Sequence, residues 1–340
     1  MTNSPDRGCL EVRNLYKHFT PGGGLFGPGG KSVRAVNDVS FTVPRGTSLG
    51  LVGESGCGKS TVARAVLRLI EPDSGSVVFD RTDVLAAKGA ALRGLRRRMQ
   101  IVFQDPYSSL NPRRTIRQAL EEPLRVHLRV SSKEIAEKAE AAIAEVGLPQ
   151  EAMDRYPHEF SGGQRQRIGI ARALVLDPEI VVADEPVSAL DVSVQAQILR
   201  LLDGLRERRG LSFLFVSHDL GVVRHFCDRL CVMYLGRIVE EGATADVLDR
   251  PLHPYTKLLR DSSPVPDPRA RRALTKIVGE VPSPTNPPPG CAFHPRCVRA
   301  ESLCATESPE LGFLETGRSC ACHFPEPGTI GWSNLRVGTR

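Results

Sequence analysis

Residues 53–61 read Gly-Glu-Ser-Gly-Cys-Gly-Lys-Ser-Thr. The apolar run Ser48-Leu49-Gly50-Leu51-Val52 precedes them, and the segment from Ser60 to Ile70 reads as a helix. A buried strand, a glycine-rich turn and a helix N-terminus in this order turn the string into a phosphate-binding loop and commit the chain to an α/β fold. Gly53, Gly56 and Gly58 let backbone N–H groups converge on phosphate oxygens, with Ser55, Cys57 and Thr61 completing the loop. The helix dipole adds favourable positive potential there. Lys59 has the reach for β- and γ-phosphates, and the Ser60 hydroxyl suits Mg²⁺. The expected ligand is a nucleoside triphosphate. Cys57 sits where a helix N-terminus lowers a thiol pKa, but it reads as a spacer of the loop.

Short apolar runs separated by turns predict strands at Leu10–Leu15, Val33–Val36, Ser40–Val43 and Leu49–Val52, then at Gly75–Asp80 and Met99–Gln104. The insert Pro21–Gly30 is too glycine-rich to pack and reads as a flexible loop. Helical spacing dominates 113–148, and Ile135, Ala139, Ala142, Ile143 and Val146 mark one helix face. Another helix is expected from Ser161 to Leu176. Strand–helix units follow: Ile180–Asp184 with 192–208, Ser212–Ser217 with 220–226, and then Arg229–Tyr234. This alternation predicts an α/β core with a largely parallel sheet, interrupted by a helical subdomain at about 106–165. Beyond 262 the chain turns proline-rich, so 262–290 reads as a linker and 291–323 as a small cysteine-bearing appendage.

Two further strings carry chemistry. Ile180-Val-Val-Ala-Asp184-Glu185 is an apolar strand ending in two adjacent carboxylates. The first suits Mg²⁺ coordination and the second a general base. In Ser161-Gly162-Gly163-Gln164, the serine caps a helix and the glycines expose N–H groups to an anion.

The loop at 53–61, Gln104, Ser161–Gln164, Asp184–Glu185, Ser188-Ala-Leu-Asp191 and His218 stand in the order of an ABC-type ATPase, and the resemblance runs from about 10 to 260. It implies a RecA-like P-loop NTPase core with an antiparallel β subdomain, an inserted α-helical subdomain and a small cysteine-rich C-terminal extension. The nucleotide-binding domain would span 8–261 and the extension 291–340. The resemblance also implies a head-to-tail pair with a second ABC ATPase subunit, itself or a paralogue, sandwiching two ATP molecules. Each ATP would touch one subunit's phosphate loop and the other's Ser161, Gly162, Gly163 and Gln164. Lys59 and Ser60 would hold phosphates and Mg²⁺, with Asp184 supporting the metal. Glu185 would be the base, His218 would reach the γ-phosphate, and Gln104 would sense the metal. Asp191 would face the partner's site, and Phe19 would stack on adenine, with Tyr16 as the alternative.

Gln104-Asp-Pro-Tyr-Ser-Ser-Leu-Asn-Pro-Arg113, His253-Pro-Tyr-Thr-Lys-Leu-Leu and Pro264-Val-Pro-Asp-Pro268 resemble segments of peptide-type ABC importers. That resemblance implies an energising subunit docked on two integral membrane permeases and fed by an extracytoplasmic binding protein. Nickel or another small solute is the alternative cargo. The rival class is a soluble ABC ATPase acting on nucleic acid or ribosomes. It would need a coiled-coil insertion, tandem cassettes or zinc modules, which this sequence lacks.

The chain has 340 residues, 41% hydrophobic and 25% charged, with net charge +6. Its arginines cluster at 96–98, 113–114, 206–209 and 269–272, without the interleaved aromatics of a stacking surface, so nucleic acid is not an expected partner. No apolar run approaches the ~18–20 residues that span a bilayer, and the N-terminus has no signal-like core. The expected location is the cytoplasmic face of the cell membrane. Cysteines 291, 297, 304, 320 and 322 crowd the C-terminal region. In a reducing compartment such a group suggests a metal over disulfides. Spacing alone leaves iron–sulfur, zinc and free thiols open, since no Cys-x-x-Cys pair is present. The family resemblance implies a [4Fe–4S] cluster on Cys291, Cys297, Cys304 and Cys322, with Cys320 as the alternative fourth ligand.

Overall fold

A computed structural model of the chain describes residues 9–20, 32–263, 279–314 and 317–326. The glycine-rich insert at 21–30, the Pro264–Pro268 string and the arginines at 269–272 lie outside these. The chain divides into two compact units.

The first unit holds Met1–Leu10, Thr42–Ser48 and Val78–Val216. Its sheet is parallel: Ile180–Asp184 lies between Met99–Val102 and Ser212–Ser217. Every residue of Ile180–Asp184 and Ser212–Ser217 is buried. Strands covered on both faces need such continuous apolar runs, which is why the sequence shows no alternation there. The helices Ile116–His127, Ser132–Glu145 and Gly162–Leu174 pack on one another. Each begins with a reciprocal capping box, on Thr115/Gln118, Ser131/Glu134 and Ser161/Gln164. The long helix Val192–Arg209 buries Ile198, Leu202 and Leu205. Arg209 at its last turn reaches Glu145 at 2.5 Å, Asp177 at 3.1 Å and the Leu174 carbonyl at 3.1 Å, tying three helix ends together. Gly210, in the left-handed region at φ 63°, ends the helix. A four-membered ion network joins Arg45 and Arg98 to Asp80 and Glu179.

The second unit holds Glu11–Phe41, Leu49–Val77 and Ser217–Arg340. The strand Ser48–Val52 pairs in parallel with Arg229–Tyr234, which pairs antiparallel with Arg237–Ala243. The predicted strands at 33–36 and 40–43 form one strand, Val33–Val43. The helix after the phosphate loop runs only over Lys59–Val66, shorter than the pattern suggests, because Arg68 turns into left-handed backbone at φ 50°.

The cysteine-bearing segment is built into this unit. Its strand Arg318–Cys320 pairs antiparallel with both Gly312–Leu314 and Arg237–Ala243. The resulting sheet is mixed, where the strand–helix alternation predicts a largely parallel one. The carboxylate of Glu240, with no exposed surface, accepts from Arg318 at 2.5 Å and from the backbone N–H groups of Leu252 and His253 at 3.0 and 2.9 Å. Burial nevertheless pushes its pKa up. One buried acid thus joins a strand, a helix start and the C-terminal hairpin. Among the described residues no helix is long and apolar enough to cross a membrane.

Candidate nucleotide site

The phosphate loop leaves the strand Ser48–Val52 and enters its helix through Gly58, at φ 107°. A β-carbon there would sit 2.0 Å from the Ala35 carbonyl oxygen, so no other residue fits. The loop is held from outside as well. Gly236 donates its N–H to the Cys57 carbonyl at 2.9 Å, and the Glu54 N–H donates to the Tyr255 hydroxyl at 2.9 Å. Lys59 is 4% exposed, and its Nζ donates to the carbonyls of Gly53 at 2.7 Å and Glu54 at 3.1 Å. The lysine is therefore curled over its own loop, with its charge where phosphate oxygens are expected. Cys57 is buried, and burial pushes its thiol pKa up, opposing the lowering expected from the helix terminus. Phe19 closes the strand Leu10–Phe19 at 40% exposure, so it is not a core residue, and the Lys17 ammonium lies 5.6 Å from its ring. Tyr16 is half-buried, edge-on to His18. His218 is exposed after the strand Ser212–Ser217. Asp219 beside it caps the next helix by accepting from Gly221 and Val222.

In the first unit, Asp184 ends its strand at 2% exposure. Glu185 follows at φ 49°, an uncommon region for a residue with a side chain. Its backbone is pinned on both sides: its N–H donates to the Val216 carbonyl, and its own carbonyl accepts from the N–H and hydroxyl of Ser188. Such over-determination is what lets strained backbone persist, and it aims the carboxylate. Gln104 Nε2 donates to Glu185 Oε2 at 3.0 Å. Two residues singled out from distant parts of the sequence are thereby brought together.

Ser161 and Gln164 satisfy each other. The Gln164 N–H donates to the Ser161 hydroxyl at 3.3 Å, and the Ser161 N–H donates to the Gln164 side-chain oxygen at 3.0 Å. Gly163 has a second reason to be glycine, which the sequence does not reveal. A β-carbon on it would lie 2.5 Å from Val194 Cγ1 of the neighbouring helix. Asp191 stands exposed at the N-terminus of that helix.

Cys291, Cys297, Cys304 and Cys322 line one small pocket with His253 and Phe293. Cys320 is not among the residues lining it; it sits in the sheet opposite Glu240. The strand ends at Cys320, and the chain has left it by Cys322. Burial raises the pKa of Cys291 and Cys297 and pushes Cys322 up to about 12. Among the described residues no three His, Cys, Asp or Glu side chains form a site for a single metal ion.

Residues 36–188 match the ABC transporter family, and residues 239–304 match the C-terminal region of oligopeptide/dipeptide transporters. The chain is 52% identical to the "Probable peptide ABC transporter ATP-binding protein y4tS" of Sinorhizobium fredii, over 94% of this chain and 90% of the relative. The chain belongs to the ABC transporter family. It is 48% identical to the oligopeptide transport ATP-binding protein AppF of Bacillus subtilis, over 95% of this chain and 99% of that one. It is 49% identical to the dipeptide transport ATP-binding protein DppF of Haemophilus influenzae, over 92% and 95%. Among solved structures, it resembles an ATP-binding cassette determined as a dimer with ADP and Pi, at 29% identity and a TM-score of 0.61, covering 69% of this chain and 98% of that one. Within the ABC family it is an ATP-hydrolysing subunit whose turnover is coupled to transport.

Proposed function

We propose that this ABC ATPase energises a membrane importer of peptides. The observation that carries the cargo is the match of 239–304 to the oligopeptide/dipeptide C-terminal region. It is supported by relatives at about half identity along nearly the whole chain whose names state peptide or dipeptide transport. Lys59 and Ser60 hold the phosphates and Mg²⁺, and Asp184 supports the metal. The buried strand end of Asp184 and the folded-over Lys59 suit those roles. When bound, Mg²⁺ supplies charge neutralisation on the phosphate oxygens. Glu185 accepts the proton of the attacking water, Gln104 orients that carboxylate, and His218 contacts the γ-phosphate. Phe19 stacks on adenine. Ser161–Gln164 and Asp191 face the ATP of a second ABC ATPase subunit in a head-to-tail pair, itself or a paralogue. The pair docks two permeases at the cytoplasmic face of the membrane, with a binding protein on the far side.

The test is co-expression with the candidate permeases. The chain should sediment with membranes only when they are present, and the assembled complex should hydrolyse ATP faster when binding protein and a short peptide are added. Stimulation by nickel or another solute, but not by peptide, would overturn the cargo assignment.

The four-thiol pocket supports a [4Fe–4S] cluster on Cys291, Cys297, Cys304 and Cys322. An all-cysteine donor set suits iron–sulfur ligation. The four thiols share one small pocket.

A further inference from the structure

Glu54 is the one carboxylate inside the phosphate loop, and the sequence reading gives it no role. Its partner lies in the cysteine-bearing segment. Arg296, directly before Cys297, donates through both terminal nitrogens to the two oxygens of Glu54, at 2.8 and 2.9 Å. The Arg296 side chain is 3% exposed and that of Glu54 26%. The guanidinium sits among aromatic rings, 5.8 Å from Phe293 and 5.9 Å from Tyr234. Tyr255, whose hydroxyl accepts from the Glu54 N–H, packs against both rings, at 4.6 Å from Tyr234 and 5.4 Å from Phe293.

The chain of contacts is continuous. Cys291 and Cys297 flank the turn His294–Arg296, and Phe293 lines the cysteine pocket. Arg296 grips the Glu54 side chain, Tyr255 grips its N–H, and the Glu54 carbonyl accepts from Lys59 Nζ. A bidentate arginine–carboxylate pair fixes orientation as well as distance. Nothing in a phosphate loop itself requires such an anchor, since loop N–H groups, lysine and helix dipole already make the anion site.

We propose that Arg296 is a positioning residue for the phosphate loop, and that through it nucleotide affinity is coupled to the order of the four-cysteine pocket. The proposal rests on the loop at 53–61 being the phosphate site. With Arg296 in place, Glu54 holds the loop open in its binding shape. Disturbing the segment 291–297 releases Glu54, and the ordering of the loop is then charged to ATP binding. Linkage makes the effect reciprocal: bound nucleotide must also order the segment around Arg296.

Two measurements on the full chain test this. In the first, ATP affinity and steady-state hydrolysis are compared for the parent, Arg296→Gln, Arg296→Lys and Arg209→Gln. Arg209→Gln breaks a part-buried pair, to Glu145, within the first unit. Arg296→Gln should weaken ATP binding and raise KM about tenfold with kcat changed far less, an effect of about 1.4 kcal/mol. Arg296→Lys should fall between Arg296→Gln and the parent, because charge is kept and the fork is lost. Arg209→Gln should lower the melting temperature and leave KM unchanged. Equal KM effects from Arg296→Gln and Arg209→Gln, or a lowered melting temperature with unchanged affinity in Arg296→Gln, would overturn the proposal.

The second measurement needs no variant: hydrogen–deuterium exchange of the parent with and without a non-hydrolysable ATP analogue. Protection of both 53–60 and 291–298 is expected. Protection of 53–60 alone would sink the tie to the cysteine segment. Protection of neither would sink the loop as the phosphate site, and the tie with it.

Discussion

At the scale of single residues, Glu185 combines the features wanted in a base: a carboxylate at the end of a buried strand, backbone pinned in left-handed geometry, and one oxygen held by Gln104. Glu185→Gln keeps the shape and removes the proton acceptor. ATP binding should survive while turnover falls on the order of 10²–10⁴-fold, the usual share of general-base catalysis. Single-turnover hydrolysis with radiolabelled ATP checks it, and near-normal turnover would remove Glu185 from the role. Gly163 gives a prediction of another kind. Gly163→Ala places a methyl against Val194 Cγ1 and should cost about 1–3 kcal/mol of stability through overpacking. Adding Val194→Ala should recover most of that loss in chemical denaturation. If the double variant is no better than the single one, the steric account fails. The need for glycine at 58 is legible from the string itself, because a phosphate loop requires close backbone approach. The need at 163 is not, because Val194 lies on another helix.

At the scale of elements, the first unit's network of Arg45, Arg98, Asp80 and Glu179 makes a pH-dependent contribution. Hydrogen bonding to Arg98 holds the carboxyls of Asp80 and Glu179 below their ordinary values of 3.8 and 4.5. Groups with depressed folded pKa values stabilise fully above their unfolded values, and that share is lost as pH falls through the folded ones. Stability should therefore decline as pH drops below about 4.5, and the slope should shrink in Arg98→Met. Denaturant melts at pH 7, 5, 4 and 3 would show it; an unchanged slope would mean the network is neutral. These side chains are about one-third exposed, so the effect will be modest. The cysteine pocket allows a sharper comparison. After anaerobic purification, Cys322→Ser should lose bound iron and its visible absorption, while Cys320→Ser should keep both. The reverse would exchange the two assignments. Periodicity and turn residues foretold most strands and the capped helices, since those signals are local. They did not foretell the joined strand Val33–Val43 or the early end of the helix after Val66, where one backbone torsion decides.

At the scale of the whole molecule, one chain carries a phosphate loop and, far from it in sequence, Ser161, Gln164 and Asp191 exposed at helix N-termini. Surfaces so placed are available to a second subunit. With Glu185→Gln to stop hydrolysis, ATP should drive association with itself or with the second ATPase subunit, read by analytical ultracentrifugation. Omission of ATP should reverse it. Absence of any ATP-dependent association with either would remove the head-to-tail pair from the proposal.

By itself the sequence determined the ligand class and the α/β core, because a phosphate loop, a strand ending in Asp184–Glu185 and a capped glycine pair are short strings whose chemistry depends on neighbours in the chain. It also singled out the cysteines, but left two candidates for the fourth position. Only the tertiary structure decided that Cys322, and not Cys320, lines the pocket with the other three, because that turns on where a strand stops. Only it joined Glu54 to Arg296, at opposite ends of the sequence. Pairs of that kind leave no local pattern, since their partner is chosen by packing and not by spacing.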